Sequence, residues 1–474
     1  MPVSVRPVVM TMTACFNYGA DATPSGAVNE DPHVSPWPSP LRAWYAVGIL
    51  FLAYALSFVD RTILSLLVGP IRADLGISDT QVSLLHGFAF AIFYTLLGVP
   101  IARLADHGSR RMIISLSAIA WSLACAICGV ARSFWQLFLA RIGVGVGEAG
   151  LSPAAYSMLA DLFPERRLAL AMSVYTSAIY IGAGLSMIIG GAVIGATAHW
   201  ALPGLPLLGV MRPWQATFVV VGLPGLALGA LLWTVGEPRR RIAGPRAADH
   251  SITATVRHLR EHVRAYAGFI LGFTLISVIY NVAVAWGPTF LIRRLGISTP
   301  EAGFLLGSVI LSGGVGGVLL GGAVADVLRR RGQLDATLTV GIISAFCAAP
   351  SGAAAFRMTH LTPFVLLIGM MLFGASMAFG AAAAGIQALT PNRMRAQASA
   401  VYLFTLNIVA VGIGPTAAAL VTDHWFHDDM RVGDSVSIVI CAAAPLAILT
   451  LLGTRKPFIA CVHANAGAPA ARAA

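Results

Sequence analysis

Two acidic and two basic side chains lie within apolar stretches of this sequence that are long enough to cross a membrane. Asp60 and Arg61 are neighbours in one stretch, and Arg141 and Glu148 are seven residues apart in another. A charge at membrane depth is costly, and it usually faces a cavity or a partner and serves a function. Seven residues are nearly two helical turns, so Arg141 and Glu148 share a face, about 10 Å apart along the axis. We expect all four charges to line one passage.

The chemistry available to these four groups is proton exchange coupled to anion binding. With both acids ionised the charges cancel, and protonation of either acid leaves a net positive cavity that favours an anion. We therefore predict that Glu148 and Asp60 couple protons and that Arg61 and Arg141 bind substrate. Release of the anion together with the proton would give symport, and competition for one carboxylate would give antiport. The alternative interpretation is that these four charges form purely structural ion pairs.

Other polar residues in the apolar stretches are candidates for substrate contact. His86 could carry protons or touch substrate, or it could be hydrogen-bonded within the helix packing. Asn281, Gln387 and Asn407 are candidate cavity donors, with simple interhelical hydrogen bonds as the alternative.

The composition predicts an all-α membrane protein. Of the 474 residues 57% are hydrophobic and 11% charged, and the mean hydropathy of +0.79 lies outside the range of soluble globular domains. Runs of about 20 apolar residues suffice to cross a bilayer as a helix. They predict twelve transmembrane helices near residues 43–68, 82–101, 112–131, 136–160, 168–195, 214–235, 267–292, 301–325, 336–356, 362–389, 396–421 and 435–455.

The two halves repeat one unit. The sequence LGIS occurs at 75–78 and again at 295–298, and the same offset of 220 residues pairs Gly87 with Gly307. Further along, an offset of 227 pairs Pro164 with Pro391. Six spans separate equivalent points, so both copies enter the membrane in the same direction and are related by an axis along its normal. The fold is predicted to be two six-helix, pseudo-symmetric halves.

The repeat also indicates that the intramembrane charges are functional. Applying the offsets, Asp60 and Arg61 correspond to Tyr280 and Asn281 in the second half, which has no such charges. Purely structural ion pairs would have no obvious reason to differ between the two halves. A cavity in which one half handles protons and the other makes more neutral contacts would have such a reason.

The formal charge of +11 is interpreted as a topology signal rather than as a nucleic-acid surface. Most of the 31 Lys and Arg lie in alternate loops and in the tails, which predicts that both termini are cytoplasmic. The predicted organisation is a disordered cytoplasmic tail (1–42), a six-helix bundle (43–235), a basic cytoplasmic linker with an amphipathic helix (236–266), a second six-helix bundle (267–455) and a cytoplasmic C-terminal tail (456–474).

The sequence offers no motif for ATP, a metal or an enzyme reaction. Lys456 is the single lysine and is followed by Pro457, so there is no phosphate-binding loop. Cys125 and Cys128 have a C-x-x-C spacing, but this helix offers no further ligands for zinc. We expect no cofactor apart from a coupling proton, and the lipid bilayer and a small-molecule or lipid-like substrate as partners of a monomer.

Two short loops resemble the major facilitator superfamily. ARLADHGSRR at 102–111 and GGAVADVLRRR at 321–331 are similar to its G-x-x-x-D-R-x-G-R-R signature, although Ala102 and Ser109 replace its glycines. The resemblance covers residues 43–455. In that family the loop charges latch the outward-facing state, so the resemblance implies that the following residues are gating residues: Asp106, Arg110, Arg111, Asp326 and Arg330.

A narrower resemblance is to the spinster-like branch of that superfamily. It is carried by VDRTIL at 59–64, by the segment around GVGEAG at 145–150 and by the entry to the eleventh span, with Ser57, Phe58 and Gln215 as departures. The resemblance implies proton coupling and substrate recognition by the four intramembrane charges, and lipid-like cargo such as lysophospholipids. The sequence thus predicts a proton-coupled secondary transporter of an amphipathic or organic anion in the inner (plasma) membrane. The alternatives are a proton symporter of small organic acids and a non-transporting sensor or scaffold.

Overall fold

The computed structural model describes residues 37–198, 211–240, 252–391 and 394–467. Within these ranges eleven helices are long and apolar enough to cross a membrane. The helices Phe134–Glu148 and Leu151–Leu162 are each shorter, and together they make a further crossing. The predicted all-α architecture of twelve spans is therefore confirmed. Most of the predicted N-terminal tail, and residues 241–251 of the linker, lie outside the described ranges.

We number the spans one to twelve in chain order. Spans one to six are Pro40–Leu66; Asp79–Ser83, Leu84–Phe88 and Ala89–His107; Arg110–Cys128; Phe134–Glu148 and Leu151–Leu162; Glu165–Thr197; and Pro213–Leu232. Spans seven to twelve are Val263–Leu295; Thr299–Arg330; Ala336–Ala355; Leu361–Leu389; Arg395–Leu406, Asn407–Ile413, Gly414–Leu420 and Val421–Phe426; and Val432–Gly467. The short helix Val68–Leu75 follows span one, and Ile252–Glu261, the linker helix, precedes span seven.

The bundle has two ends, which we name by the connections they carry. The linker face carries the linker helix and the connections after spans two, four, six, eight and ten. The distal face carries the connections after the odd-numbered spans.

The repeated LGIS sequence is a helix end followed by a helix start. Gly76 and Gly296 have φ angles of +65° and +66°, the left-handed conformation that ends a helix and favours glycine. Ser78 then starts span two with a capping box, in which its hydroxyl accepts from the Gln81 main-chain N–H. The repeat thus marks the same distal turn in each half.

One type of close backbone contact between the two halves occurs at two equivalent positions. A Cβ atom on Gly87 of span two would lie 2.3 Å from the Val411 carbonyl oxygen in span eleven. A Cβ atom on Gly307 of span eight would lie 2.5 Å from the Gly184 carbonyl oxygen in span five. The two repeat offsets map Gly87 onto Gly307 and Gly184 onto Val411. Both contacts therefore need glycine for the close approach of the two backbones.

Three elements differ from the expected boundaries. Span four is interrupted at Ala149 and Gly150, directly after Glu148. Span twelve does not end at 455 but continues to Gly467, because Phe458 and Cys461 are buried; the Phe458 ring packs 6.0 Å from that of Phe269. The predicted amphipathic helix of the linker ends at Glu261, and the residues from Val263 onward belong to span seven.

The glycine contact between the halves gives the first prediction. Gly87→Ala should lower the melting temperature of the purified protein, because the added methyl overlaps a backbone carbonyl and such overpacking costs about 1–3 kcal/mol. Gly98→Ala is the matched control in the same span, where a Cβ atom meets nothing within 4 Å. Equal melting temperatures for the two variants would contradict the close packing.

Candidate functional site

An ion pair between Arg61 and Glu148 joins span one to span four. The Arg61 Nε donates to the Glu148 Oε2 at 2.5 Å, and a second guanidinium nitrogen lies 2.5 Å from the same oxygen. The Glu148 side chain is fully buried, whereas 19% of the Arg61 side chain is exposed. The other oxygen, Glu148 Oε1, is buried and has no hydrogen-bond partner among the described residues. The pair can therefore be approached from the arginine side.

Three aromatic rings surround the Arg61 guanidinium. Its carbon lies 5.0 Å from the centre of the Phe58 ring, 4.5 Å from that of Phe90 and 4.9 Å from that of Tyr94. Ring faces attract a cation at this range. These three aromatic residues were not predicted from the sequence. The available signal was their spacing, because Phe58 precedes Arg61 by three residues and Phe90 precedes Tyr94 by four, each on one helix face.

Asp60 faces away from this pair. Its side chain is buried, and its Oδ1 accepts a hydrogen bond of 3.1 Å from the Cys125 thiol in span three. Consecutive helix positions are about 100° apart, so Asp60 and Arg61 contact different neighbours. The two acids are therefore in different environments, since Glu148 has an arginine partner and Asp60 has a thiol.

Arg141 is fully buried and binds main-chain carbonyls. Its Nη1 donates to the Asp60 carbonyl oxygen at 2.8 Å, its Nη2 to that of Arg61 at 3.5 Å and its Nε to that of Leu85 at 3.4 Å. We expected this residue to line the passage with Glu148, but in this conformation its guanidinium holds span four against spans one and two. It acts on the site by positioning the backbone of Asp60 and Arg61.

His86 lies where the two halves meet. It belongs to the π-helical turn Leu84–Phe88, which packs against the π-helical turn Asn407–Ile413 of span eleven. Together with Trp286 and Pro415 of the second half it lines a small cavity. Within the described residues His86 has no hydrogen-bond partner. Single π-helical turns are frequent at functional sites.

The three amides are not brought into contact with the charged pair. The side-chain nitrogens of Asn281 and Asn407 donate at 2.9 Å to carbonyls of their own helices, Ser277 and Leu403. Gln387 is exposed near the linker-face end of span ten and donates to the Ser399 Oγ at 3.1 Å.

On the linker face, Arg110 joins spans within the first half. It pairs with Asp161 at the end of span four and, at 3.0 Å, with Glu237 after span six. Burial would raise the pKa of Glu237, but the Arg111 main-chain N–H and the Arg110 and Ser109 side chains donate to it and hold that pKa below its usual range. Its contribution to stability is present above the ordinary glutamate pKa and is lost as the pH falls through the lowered value.

The remaining gating candidates are less constrained. The Arg111 guanidinium lies 5.2 Å from the Trp233 ring. Asp326 and Arg330 are exposed and have no ion pair with any described residue. Asp106 lies in span two, and its side chain is outside the part of the chain that the structure describes.

Among the described residues two ion pairs cross between the halves, both on the distal face, and neither was predicted from the sequence. The fully buried Asp79 carboxylate accepts two hydrogen bonds from Arg293, at 2.6 and 2.8 Å. Arg72 lies 2.6 Å from Asp429 and 3.2 Å from Asp79. In addition, Asp423 accepts hydrogen bonds from the main chain and hydroxyl of Thr80. These contacts, the distal clasp, close this face.

Comparisons with known proteins agree with this fold. The family model of the Major Facilitator Superfamily matches residues 50–415, and the chain belongs to that superfamily. A Mycolicibacterium smegmatis MFS-type efflux pump is 31% identical over 395 residues, which cover 82% of this chain and 86% of that protein. A probable L-galactonate transporter of Escherichia coli is 25% identical over 432 residues, covering 87% and 89%.

The resemblance to spinster proteins is confirmed. Protein spinster homolog 3 of Danio rerio is 28% identical over 308 residues, 61% of this chain and 58% of that protein. Among solved structures, a bacterial homologue of the human lysosomal transporter Spinster, inward-facing and unoccupied, superimposes with a TM-score of 0.73 at 24% identity, covering 90% and 98%. The chain is therefore a multi-pass membrane transporter of the Major Facilitator Superfamily that is similar to spinster proteins, and not an enzyme.

The different surroundings of the two arginines give the second prediction. Arg141→Ala should destabilise the purified protein by roughly 2–5 kcal/mol, because it removes the buried hydrogen bonds that hold span four to spans one and two and leaves a cavity in their place. Arg61→Gln should change the melting temperature much less and should abolish stabilisation by an anionic ligand, since Arg61 is the partly exposed one of these two arginines. Thermal unfolding with and without ligand measures both effects. A stable Arg141→Ala variant that loses ligand binding would assign the substrate role to Arg141 instead.

Proposed function

We propose that this transporter moves an amphipathic or organic anion together with a proton, by alternating access. The observation that carries the proposal is the ion pair of Arg61 with Glu148, in which the acid is buried and the arginine is partly exposed. Arg61 is thus the group that an incoming anion can reach, and Glu148 is the group that would lose its partner.

The coupling follows from the cost of an unpaired charge. An anionic headgroup that binds Arg61 competes with Glu148 for the guanidinium. An ionised carboxylate left unpaired away from water is strongly disfavoured, so Glu148 would take up a proton as the anion binds. The buried Oε1 can hold that proton. Anion and proton therefore bind together, which favours symport over the antiport that the sequence also allows.

The surroundings of Arg61 favour cargo with an apolar part. The rings of Phe58, Phe90 and Tyr94 lie around the guanidinium, and Tyr54 stacks on Tyr175 nearby in the same half, with ring centres 4.9 Å apart. Such a surface suits an anionic headgroup attached to a hydrocarbon, as in a lysophospholipid. A small organic acid is the second candidate. It is supported by the similarity to the probable L-galactonate transporter.

We infer a plasma-membrane location, and the charge distribution supports an orientation with the linker face in the cytoplasm. In that orientation the distal clasp lies outside, and the closed distal face corresponds to an inward-facing conformation. The structural neighbour named above is also inward-facing.

Glu148→Gln tests the coupling in proteoliposomes. The substitution is nearly isosteric and mimics the protonated acid, so the variant should still exchange cargo down a gradient. It should fail to accumulate cargo when a pH step is imposed, whereas the unaltered protein accumulates it. The probes are a lysophospholipid and galactonate, after a thermal-shift screen has shown which one binds.

Asp60→Asn is the matched control, because it neutralises the other buried acid of the same site. It should keep some dependence on the pH step, since Asp60 does not share a partner with the cargo. If transport lost its dependence on the pH step in Asp60→Asn but kept it in Glu148→Gln, Asp60 would be the proton-binding residue and this mechanism would be refuted. Transport by the unaltered protein that ignores the pH step would indicate facilitated diffusion.

Cysteine labelling tests the orientation. Arg330 and Arg294 are both exposed, on the linker face and the distal face respectively. On intact cells, a membrane-impermeant maleimide should label Arg294→Cys but not Arg330→Cys, with the unaltered chain as background. Inverted vesicles should give the opposite result. Labelling of both positions from one side would contradict the proposed topology.

A further inference from the structure

A group of two histidines and one cysteine lies on the linker face, far from the charged pair in sequence. His258 is in the linker helix, His262 is the residue between that helix and span seven, and Cys461 is in the extension of span twelve. One nitrogen of each histidine and the Cys461 sulfur all lie within 4.8 Å of one another. Three separate positions of the chain thus bring metal-ligating atoms together.

The two histidines are arranged as a pair on one helical face. They are four residues apart, and the His262 main-chain N–H donates to the His258 carbonyl at 3.1 Å, so the helical spacing continues across the end of the linker helix. Their ring centres are 4.8 Å apart. Histidines at this spacing are a known way to present two imidazoles to one zinc ion.

The three side chains are in a state that suits metal binding. The His258 Nε2 is buried and has no hydrogen-bond partner among the described residues. Cys461 is a buried free thiol, and its sulfur lies 3.6 Å from the Leu389 carbonyl oxygen.

The geometry requires only a small adjustment. Zinc binds nitrogen and sulfur at about 2.0–2.3 Å, which places tetrahedral ligands about 3.3–3.8 Å apart. The side chains would have to approach each other by at most about 1.5 Å, and the His258 and His262 side chains are only partly buried. A set of two imidazoles and one thiolate is typical of zinc and excludes hard ions such as calcium.

We propose that His258, His262 and Cys461 bind a zinc-class divalent cation, with a water molecule as the fourth ligand. The ion would connect the linker helix to the end of span twelve, next to the point where Tyr266 donates to the Leu389 carbonyl at 2.9 Å. It would thereby fix the end of the chain segment that joins the two halves. The site is independent of the cargo and of the proton-coupling scheme.

Cobalt titration of the purified full-length protein tests the site, with an affinity tag that contains no histidine. One Co²⁺ per chain should bind and give a thiolate-to-cobalt charge-transfer absorption, which added Zn²⁺ displaces. Cys461→Ser should abolish that absorption. His258→Ala and His262→Ala should each weaken binding by at least about tenfold.

Two matched controls come from the same helix as Cys461. Cys441 and His463 are exposed and lie outside the cluster, so Cys441→Ser and His463→Ala should bind cobalt as the unaltered protein does. Zn²⁺ should also slow amide hydrogen exchange in residues 252–261 of the unaltered protein, but not in Cys461→Ser. Cobalt absorption that survives Cys461→Ser, or is absent from the folded unaltered protein, would overturn the proposal. If Cys461→Ser does not fold, undiminished cobalt binding by the folded His262→Ala variant would overturn the proposal instead.

Discussion

The buried guanidinium of Arg141 fixes the geometry of the charged site. It has no exposed surface and donates to the main-chain carbonyls of Asp60, Arg61 and Leu85. A buried cation is tolerated only where its donors are satisfied, so spans one, two and four must keep their positions around it. That constraint sets the rotation of span one. As a result Arg61 points to Glu148 and its aromatic rings, while Asp60 points to Cys125.

The sequence predicted the scaffold well because the scaffold depends on local and repeated features. Span lengths follow from hydropathy, and the LGIS turns follow from a glycine that must adopt a positive φ. The repeat offset that pairs Gly87 with Gly307 identifies structurally equivalent positions, since both glycines make the same close contact with the opposite half. The four charges were expected to lie together, and the structure brings them to neighbouring helices. Their separate roles were not predictable, because the partners of Arg141 are carbonyls, which every residue has.

The distal clasp was missed for a different reason. Its partners are far apart in the chain, as with Arg72 and Asp429, and nothing local in a single sequence pairs them. The loop signature drew attention to the linker face instead. There Arg110 connects three spans of one half, which makes it part of a rigid bundle. The linker-face charges of the second half, Asp326 and Arg330, are exposed and have no ion pair with any described residue.

The clasp also explains how a closed face can open at small cost. Opening would separate Asp79 from Arg293, and for a buried pair in a dry interior that would be very unfavourable. This pair, however, lies at the end of the bundle, so separation of the halves admits water to both charges at the same step. The cost is then closer to that of exposed ion pairs, about 0–1 kcal/mol each. Conformations that differ by only a few kcal/mol can be interconverted by the differential binding of cargo and a proton. The charges therefore have different positions and different partners: the clasp lies at the end of the bundle, where its charges can be hydrated, whereas Arg141 lies in the interior and holds spans one, two and four together through their main-chain carbonyls.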